Sequence, residues 1–401
     1  LASRNHSDWA IVGAKQDEAT LRSTDVPGAT DLKALSGAGS EASPYVVSTP
    51  EALAWFANKV NQYGNANITN SDGTTPGLTY GKAYVQLGAD IDLLGAAYGG
   101  SADETLPTAA ERYANVLEWV PIDQRDPHFD GLGHTIDHLY INAPDKDNQG
   151  LFGQAQGMDS GLYIQNVSIG SKSYVHGKEN VGALAGITDK AAFTNCSNAA
   201  EVVGEGQYVS GIVGGWANGK ILGCSNTGAV TGTTCVGGIA SYGYFNMVNC
   251  FNTGAVTATA GYAGGVAAGT FEKIVNCYNA GPVAGDKAAA IVVYPPSSGT
   301  PCYNCLYVTE ASKPATAGIY DKNDAHGKVE GVTAEALKSW GGAYQMNRVA
   351  ASINSYNSLE YAAVTDFANM TTWRQATGEG ATLENNGYPV LTGIDSIDAN
   401  D

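Results

Sequence analysis

Short apolar stretches of Val, Ile, Ala and Cys alternate with Gly- and Asn-rich breaks through the middle of the chain, and the alternation keeps time. Asn195-Cys196-Ser197-Asn198, Gly223-Cys224-Ser225-Asn226, Asn249-Cys250-Phe251-Asn252 and Asn276-Cys277-Tyr278-Asn279 place their cysteines 28, 26 and 27 residues apart. Asn304-Cys305 repeats the step after another 28. A small residue and a valine follow each unit: Ala200 and Val202, Gly228 and Val230, Gly254 and Val256, Gly281 and Val283. A Val-Gly-type block precedes each cysteine, beginning at Val181, Val209, Val236 and Ala263. A fixed period of this length marks a solenoid, in which each repeat buries its apolar face only against its neighbours.

No stretch inside one period is long enough, or rich enough in helix formers, for paired helices. The period therefore predicts three strands of ~4–6 residues joined by turns, giving coils of about 27 residues wound into an all-β, right-handed parallel β-helix. Coils stacked roughly 4.8 Å apart would align equivalent residues in columns. Cys196, Cys224, Cys250, Cys277 and Cys305 form one such column, pointing into the tube. Asn198, Asn226, Asn252 and Asn279 form another, whose amides can hydrogen-bond from coil to coil. Gly and Asn tolerate left-handed backbone at the corners. The 51 glycines are thus corner residues and not phosphate-binding loops, since they recur with the coil and lack a following helix.

An open β-helix exposes strand edges and an apolar interior at its ends, so caps are expected there. Thr49-Pro50-Glu51 reads as a helix start, and the helix from Ala52 to about Asn61 puts Leu53, Phe56 and Val60 on one face, suited to a lid. Thr333 to Lys338 starts a second short helix, with Trp340 and Trp373 as large apolar groups to close the C-terminal coil. The chain divides into a polar lead or linker (1–40), a capping helix with irregular early coils and insertions (41–149), regular coils (150–310) and a C-terminal cap (311–401). The segment 63–118 reads as insertions, with Ala83 to Leu87 strand-like between loops.

Gly150-Leu151-Phe152-Gly153, the Val-Gly-Gly-Ile blocks and the Asn-Cys-Tyr-Asn units resemble GLUG-repeat proteins, bacterial cell-surface β-helices whose repeats also occur beside immunoglobulin-A-cleaving metallopeptidases. The resemblance extends over roughly residues 40 to 395 through Pro44 to Thr49, Ala89-Asp90-Ile91-Asp92-Leu93, Trp119-Val120-Pro121-Ile122, Phe129 to Ile136 and Asn386 to Leu391. Leu132 stands where the family usually has Asn. The resemblance implies a secreted or surface protein. It does not bring a peptidase site with it, because no His-Glu-x-x-His string occurs in the chain.

The chain has 401 residues, 43% of them apolar, which is ample for a core spread along one axis. A net charge of −18 argues against nucleic acid and anionic membranes as partners. No run of about 20 apolar residues exists to span a bilayer. The chain opens at Leu1 without a Met or a charged-then-apolar leader, which reads as a mature or trimmed chain lacking its export signal.

Candidate chemistry is sparse. From residue 191 to 285 the charged residues are Glu201, Glu205, Lys220, Glu272 and Lys273, with no Asp, Arg or His, so the regular coils carry no catalytic constellation. Asp123, Asp126, His128, Asp130, His134, Asp137 and His138 cluster earlier, and His134 and His138 would share a strand face. Their expected role is to satisfy turn backbone groups, with a metal or acid–base site as the alternative. The column cysteines read as buried reduced thiols. Cys302-x-x-Cys305 supplies half a zinc site at most, and Cys235 takes the position of Tyr208 and Tyr262. No catalytic residue, metal or cofactor is expected.

Twenty-two Tyr against 8 Phe favours aromatic groups with a polar tip. Tyr242, Tyr244, Phe251, Tyr262 and Tyr278 are the candidate ligand-binding residues, with Phe251 and Tyr278 sent outward because they follow inward cysteines. The resulting expectation is a non-catalytic extracellular module at the bacterial cell surface that binds host or dietary glycans or a surface protein. A pure structural spacer and a polysaccharide lyase or hydrolase are the alternatives.

Overall fold

The computed structural model describes residues 35–68, 75–96, 99–157, 161–294, 302–313, 315, 317–320 and 329–339, with residues 346, 373, 374, 376, 385 and 388–391. Trp340, Asn386, Gly387 and residues 1–34 lie outside the described residues.

The chain winds as a parallel β-solenoid. Equivalent residues pair coil upon coil: Ser168↔Ser197, Ser197↔Ser225, Ser225↔Phe251, Phe251↔Tyr278 and Tyr278↔Leu306, all parallel. The side chains between them form one continuous core running from Leu35 to Val329.

The regular coils contribute to four sheets, not to the three strands that the period suggests. Sheet I has 14 strands, sheet II nine, sheet III six and sheet IV five. The breaks come closer together than three strands of ordinary length allow. One coil carries Val181–Gly182, Ala185–Asp189, Ala192–Thr194, Ser197–Asn198 and Glu201–Gly204, so several sides are only two or three residues wide. Corners are turned by left-handed residues immediately before the cysteine column: Asn195, Gly223, Asn249, Asn276 and Asn304 have φ between 49° and 61°. Tyr208 and Cys235 turn a second corner in the same way, at φ 64° and 54°.

Two coils depart from the pattern. Val213–Leu222 and Ala240–Val248 run straight through a corner that neighbouring coils turn, and so fuse two strand columns into sheet I. They pair in parallel, with a register irregularity between Val213 and Trp216. Gly243, at φ 150°, lies so close beneath the preceding coil that a Cβ there would sit 2.0 Å from the Ala217 carbonyl oxygen.

Both columns occupy the interior. Cys196, Cys224, Cys250, Cys277 and Cys305 are fully buried free thiols. Burial pushes the Cys196, Cys224 and Cys250 thiols well above their ordinary pKa, so they stay protonated and pack as small apolar groups. Cys302 is buried as well, while Cys235 is half-buried.

Asn198, Asn226, Asn252 and Asn279 form an amide ladder in which each Nδ2 donates to the Oδ1 of the next coil's asparagine at 2.8 Å. The last rung donates to Ser312 Oγ at 3.0 Å. The same amides donate to the carbonyls of Ala200, Gly228, Gly254 and Gly281, closing the adjoining turn. The corner asparagines form a second ladder with the opposite sense: Asn195 donates back to Asn166, Asn276 to Asn249 and Asn304 to Asn276.

At the N-terminal end, helix α1 (Pro50–Tyr63) is capped by Thr49, whose hydroxyl accepts from the Ala52 amide at 3.2 Å. Leu53, Phe56 and Val60 face inward as the pattern required, and the helix packs on the strand Ile122–Arg125. Helix α2 (Ala109–Arg112) lies in the segment expected to be loops. Thr108 and Glu111 form a reciprocal capping box that starts it. Helix α3 (Ala334–Lys338) is capped by Thr333.

Trp373 does not close the last coil. With Leu337, Met346, Tyr388 and Leu391 it covers the outer face of sheet II, over Phe251, Tyr278, Leu306 and Val308. This overturns the assignment of Phe251 and Tyr278 to an open binding surface. Alternation does send them out of the tube, but the C-terminal region buries both completely. Their rings stack at 5.1 Å, and Tyr278 donates its hydroxyl to the Pro389 carbonyl at 2.7 Å. Earlier coils have Ser168, Ser197 and Ser225 in this column, so the change from Ser to aromatic marks where the cover begins.

Candidate functional site

The two straight strands carry the most prominent aromatic feature among the described residues. Strand alternation brings Trp216, Asn218 and Lys220 to the outer face of one, and Tyr242, Tyr244 and Asn246 to the outer face of the next. They pair as Trp216↔Tyr242, Asn218↔Tyr244 and Lys220↔Asn246. Phe271 joins them from the following coil, just beyond Ala267–Gly269.

Trp216, Tyr244 and Phe271 are 38%, 49% and 42% exposed, high for rings of this size. Tyr244 stacks on Phe271 at 4.6 Å, and Trp216 lies 5.9 Å from each of them. Tyr242 supports the group from one side, 5.4 Å from both Trp216 and Phe271. It can do so because Gly269 lies beneath its ring: a Cβ there would be 2.3 Å from Tyr242 Cε2.

The aromatic surface continues from Tyr242 to Tyr294 at 6.5 Å and from Tyr294 to Tyr262 at 4.7 Å, where Lys287 Nζ sits 5.1 Å above the Tyr262 ring. Loss of solvent, then the hydrogen bond with Tyr262, pushes the Tyr294 hydroxyl up to about 12, so it stays neutral. No charged residue occurs from Gly206 to Gly219 or from Thr233 to Phe271. The outcome is a ledge of uncharged rings bordered by the amides of Asn218 and Asn246, with Lys220 beyond them.

Of the five candidate binding residues, the structure brings Tyr242 and Tyr244 together on this ledge. Tyr262 lies at its far margin, and Phe251 and Tyr278 lie under the C-terminal cover. Sequence reasoning missed Trp216, Phe271 and Tyr294. The register irregularity sets Trp216 one residue out of step with Tyr242, which hid the equivalence, and Phe271 falls in a break between strands. Gly-Gly-Trp, a large ring directly after a close-packed block, was the available signal.

The early Asp and His residues are occupied with structure. His134 Nδ1 lies 3.0 Å from Asp90 and His138 Nδ1 2.8 Å from Asp92, each tying one coil to the next. The two histidines do not share a strand face, because the strand covers only Thr135–Asp137 and His138 turns away at φ 50°. Asp130 accepts from the Leu132 amide and from the side chains of Gln165 and Asn166, each at 2.9 Å. Asp137 accepts from the amides of His138 and Lys172, both at 3.0 Å, while burial pushes its carboxyl up.

Asp126 pairs with Lys82 at 3.0 Å. His128 stacks on Tyr84 at 4.0 Å, and burial lowers its pKa and favours the neutral ring. Asp123 borders a pocket of about 350 Å³ beside the end of α1, which contains no second acid and no base. Among the described residues no three His, Cys, Asp or Glu side chains converge as metal ligands. No described helix is long and apolar enough to cross a membrane.

No family model matches the chain, and no curated protein matches it. Among solved structures, it resembles one described as a "putative immunoglobulin A1 protease from Bacteroides ovatus", at 20% identity and a TM-score of 0.50. The match covers 89% of this chain and 94% of that one. At this level of identity the likeness is one of fold: both chains are built on the same β-solenoid plan.

Proposed function

We propose that this chain is a non-catalytic module of a bacterial surface protein, and that it binds carbohydrate on the ledge formed by Trp216, Tyr244 and Phe271. The observation that carries the reading is three adjacent, substantially exposed rings in a stretch, residues 206–271, whose single charged residue is Lys220, on a protein whose net charge is −18. Aromatic faces attract the C–H surfaces of sugars, and the neighbouring amides can exchange hydrogen bonds with hydroxyl groups. The resemblance to GLUG-repeat surface proteins supports export and display. The solved neighbour's description raises a peptidase reading, but the chain contains no His-Glu-x-x-His string, so this region would serve such an enzyme as an accessory part.

A glycan array probed with the labelled chain, in calcium and in chelator, tests the reading. Binding is expected in both conditions, and Trp216→Ala and Tyr244→Ala are each expected to weaken it about tenfold with unchanged circular dichroism. An array without a hit, or hits that neither substitution affects, would refute carbohydrate binding at the ledge.

A further inference from the structure

The shape of the ledge says how much of a glycan it can hold. We infer that it takes one uncharged pyranose at the end of a glycan, and not the interior of a long chain; this rests on the carbohydrate reading above. Ring positions are decisive. Trp216, Tyr244 and Phe271 come from three successive coils, which are stacked roughly 4.8 Å apart. Three rings standing straight out would be strung along the axis, with the first and third two coil steps apart. Instead the Trp216 and Phe271 centroids are only 5.9 Å apart, and Tyr244 is 5.9 Å from one and 4.6 Å from the other. The rings converge into a triangle comparable in size to a single sugar ring.

Beyond the triangle the aromatic surface sinks. Tyr242, Tyr262 and Tyr294 are all more buried than the three exposed rings, so no second exposed platform follows at sugar spacing among the described residues. The three rings and the bordering Asn218 and Asn246 offer a carboxylate or sulfate no cationic partner of their own, and the cations at the margins, Lys220 beyond Asn218 and Lys287 over the Tyr262 ring, lie outside the triangle. Burying an unpaired anion against the rings would be costly. A protein partner fits less well, because three half-exposed side chains are far short of the area that a specific protein interface buries.

Saturation-transfer NMR and calorimetry on the full chain would test this with the methyl glycosides of galactose, glucose, mannose and N-acetylglucosamine. Each is compared with a linear neutral tetrasaccharide ending in the same sugar, and 3′-sialyllactose is compared with lactose. At least one methyl glycoside is expected to bind within about threefold of its tetrasaccharide, with Trp216→Ala weakening both about tenfold, and sialic acid at the terminus is expected to weaken binding at least about tenfold. Tetrasaccharide binding without methyl glycoside binding, or undiminished binding of 3′-sialyllactose, would overturn the single-sugar inference while leaving the carbohydrate reading intact. Silence from every sugar here and on the array would overturn both.

Discussion

Asn252 is occupied on every side. Its Nδ2 donates to the Gly254 carbonyl at 2.9 Å and to Asn279 Oδ1 at 2.8 Å, and its Oδ1 accepts from Asn226 at 2.8 Å. All three bonds are buried, so truncating the side chain leaves a donor and acceptors without partners, at about 1–3 kcal/mol for each unsatisfied group. Asn252→Ala is therefore expected to destabilise the solenoid by about 3 kcal/mol or more, measured as a fall in the urea midpoint. Asn218→Ala, on the half-buried outer face, should move that midpoint far less. The ladder was legible because Asn recurs two positions after four of the five column cysteines, and only a polar group with a partner of its own kind above and below can be repeated in an apolar tube. The left-handed corners were legible too, but not their separate ladder, because Gly223 replaces Asn and interrupts the run.

At the level of the element, the same column serves two purposes in different coils. Ser197 and Ser225 give way to Phe251 and Tyr278 where the C-terminal region lies on sheet II. Phe251 stacks on Tyr278 and lies 5.9 Å from Trp373, so Phe251→Ala removes a large buried ring, at about 3–5 kcal/mol. The expected outcome is that cleavage by a protease within residues 334–391 becomes faster, while the parallel coils keep their far-ultraviolet spectrum. Equal protection in the variant would show that the cover is held elsewhere.

The period made the fold class readable, since Val, Cys and Asn recur at a fixed interval with no stretch long enough for a helix between them. It did not make the number of sheets readable, because sides of two residues fall below the length at which alternation can be recognised. Nor did it reveal which outward aromatics are covered. Phe251 and Tyr244 follow the same alternation rule, and only the return of a segment more than 80 residues later, at Leu337 and Trp373, separates them. The ledge was half-visible for a related reason. Tyr242 and Tyr244 lie in a clean strand, while Trp216 sits at an irregularity and Phe271 in a break.

Across the whole molecule, a charge of −18 coexists with two coils that carry almost none of it. A neutral sugar on an uncharged ledge exchanges no ions on binding, so its affinity should change little from low to high salt, in contrast to the steep dependence of ion-paired complexes. A marked loss of binding in titrations at rising sodium chloride would place the contact on charged side chains instead.

The axial amide ladder has a direction, and with it a first and a last word. Asn198 stands above Ile169, which offers no amide, and uses its Oδ1 to accept from its own turn at Ala200. Ser312 receives the final N–H at the other end. A duplicated coil inserted between Asn252 and Asn279 would continue the grammar with one more asparagine. A coil added after Asn279 would interrupt it and strand the terminator. The ladder can thus be lengthened from within but not beyond Asn279, so although sheet II continues past both of its ends, this buried polar line records where along the rod a coil can be added.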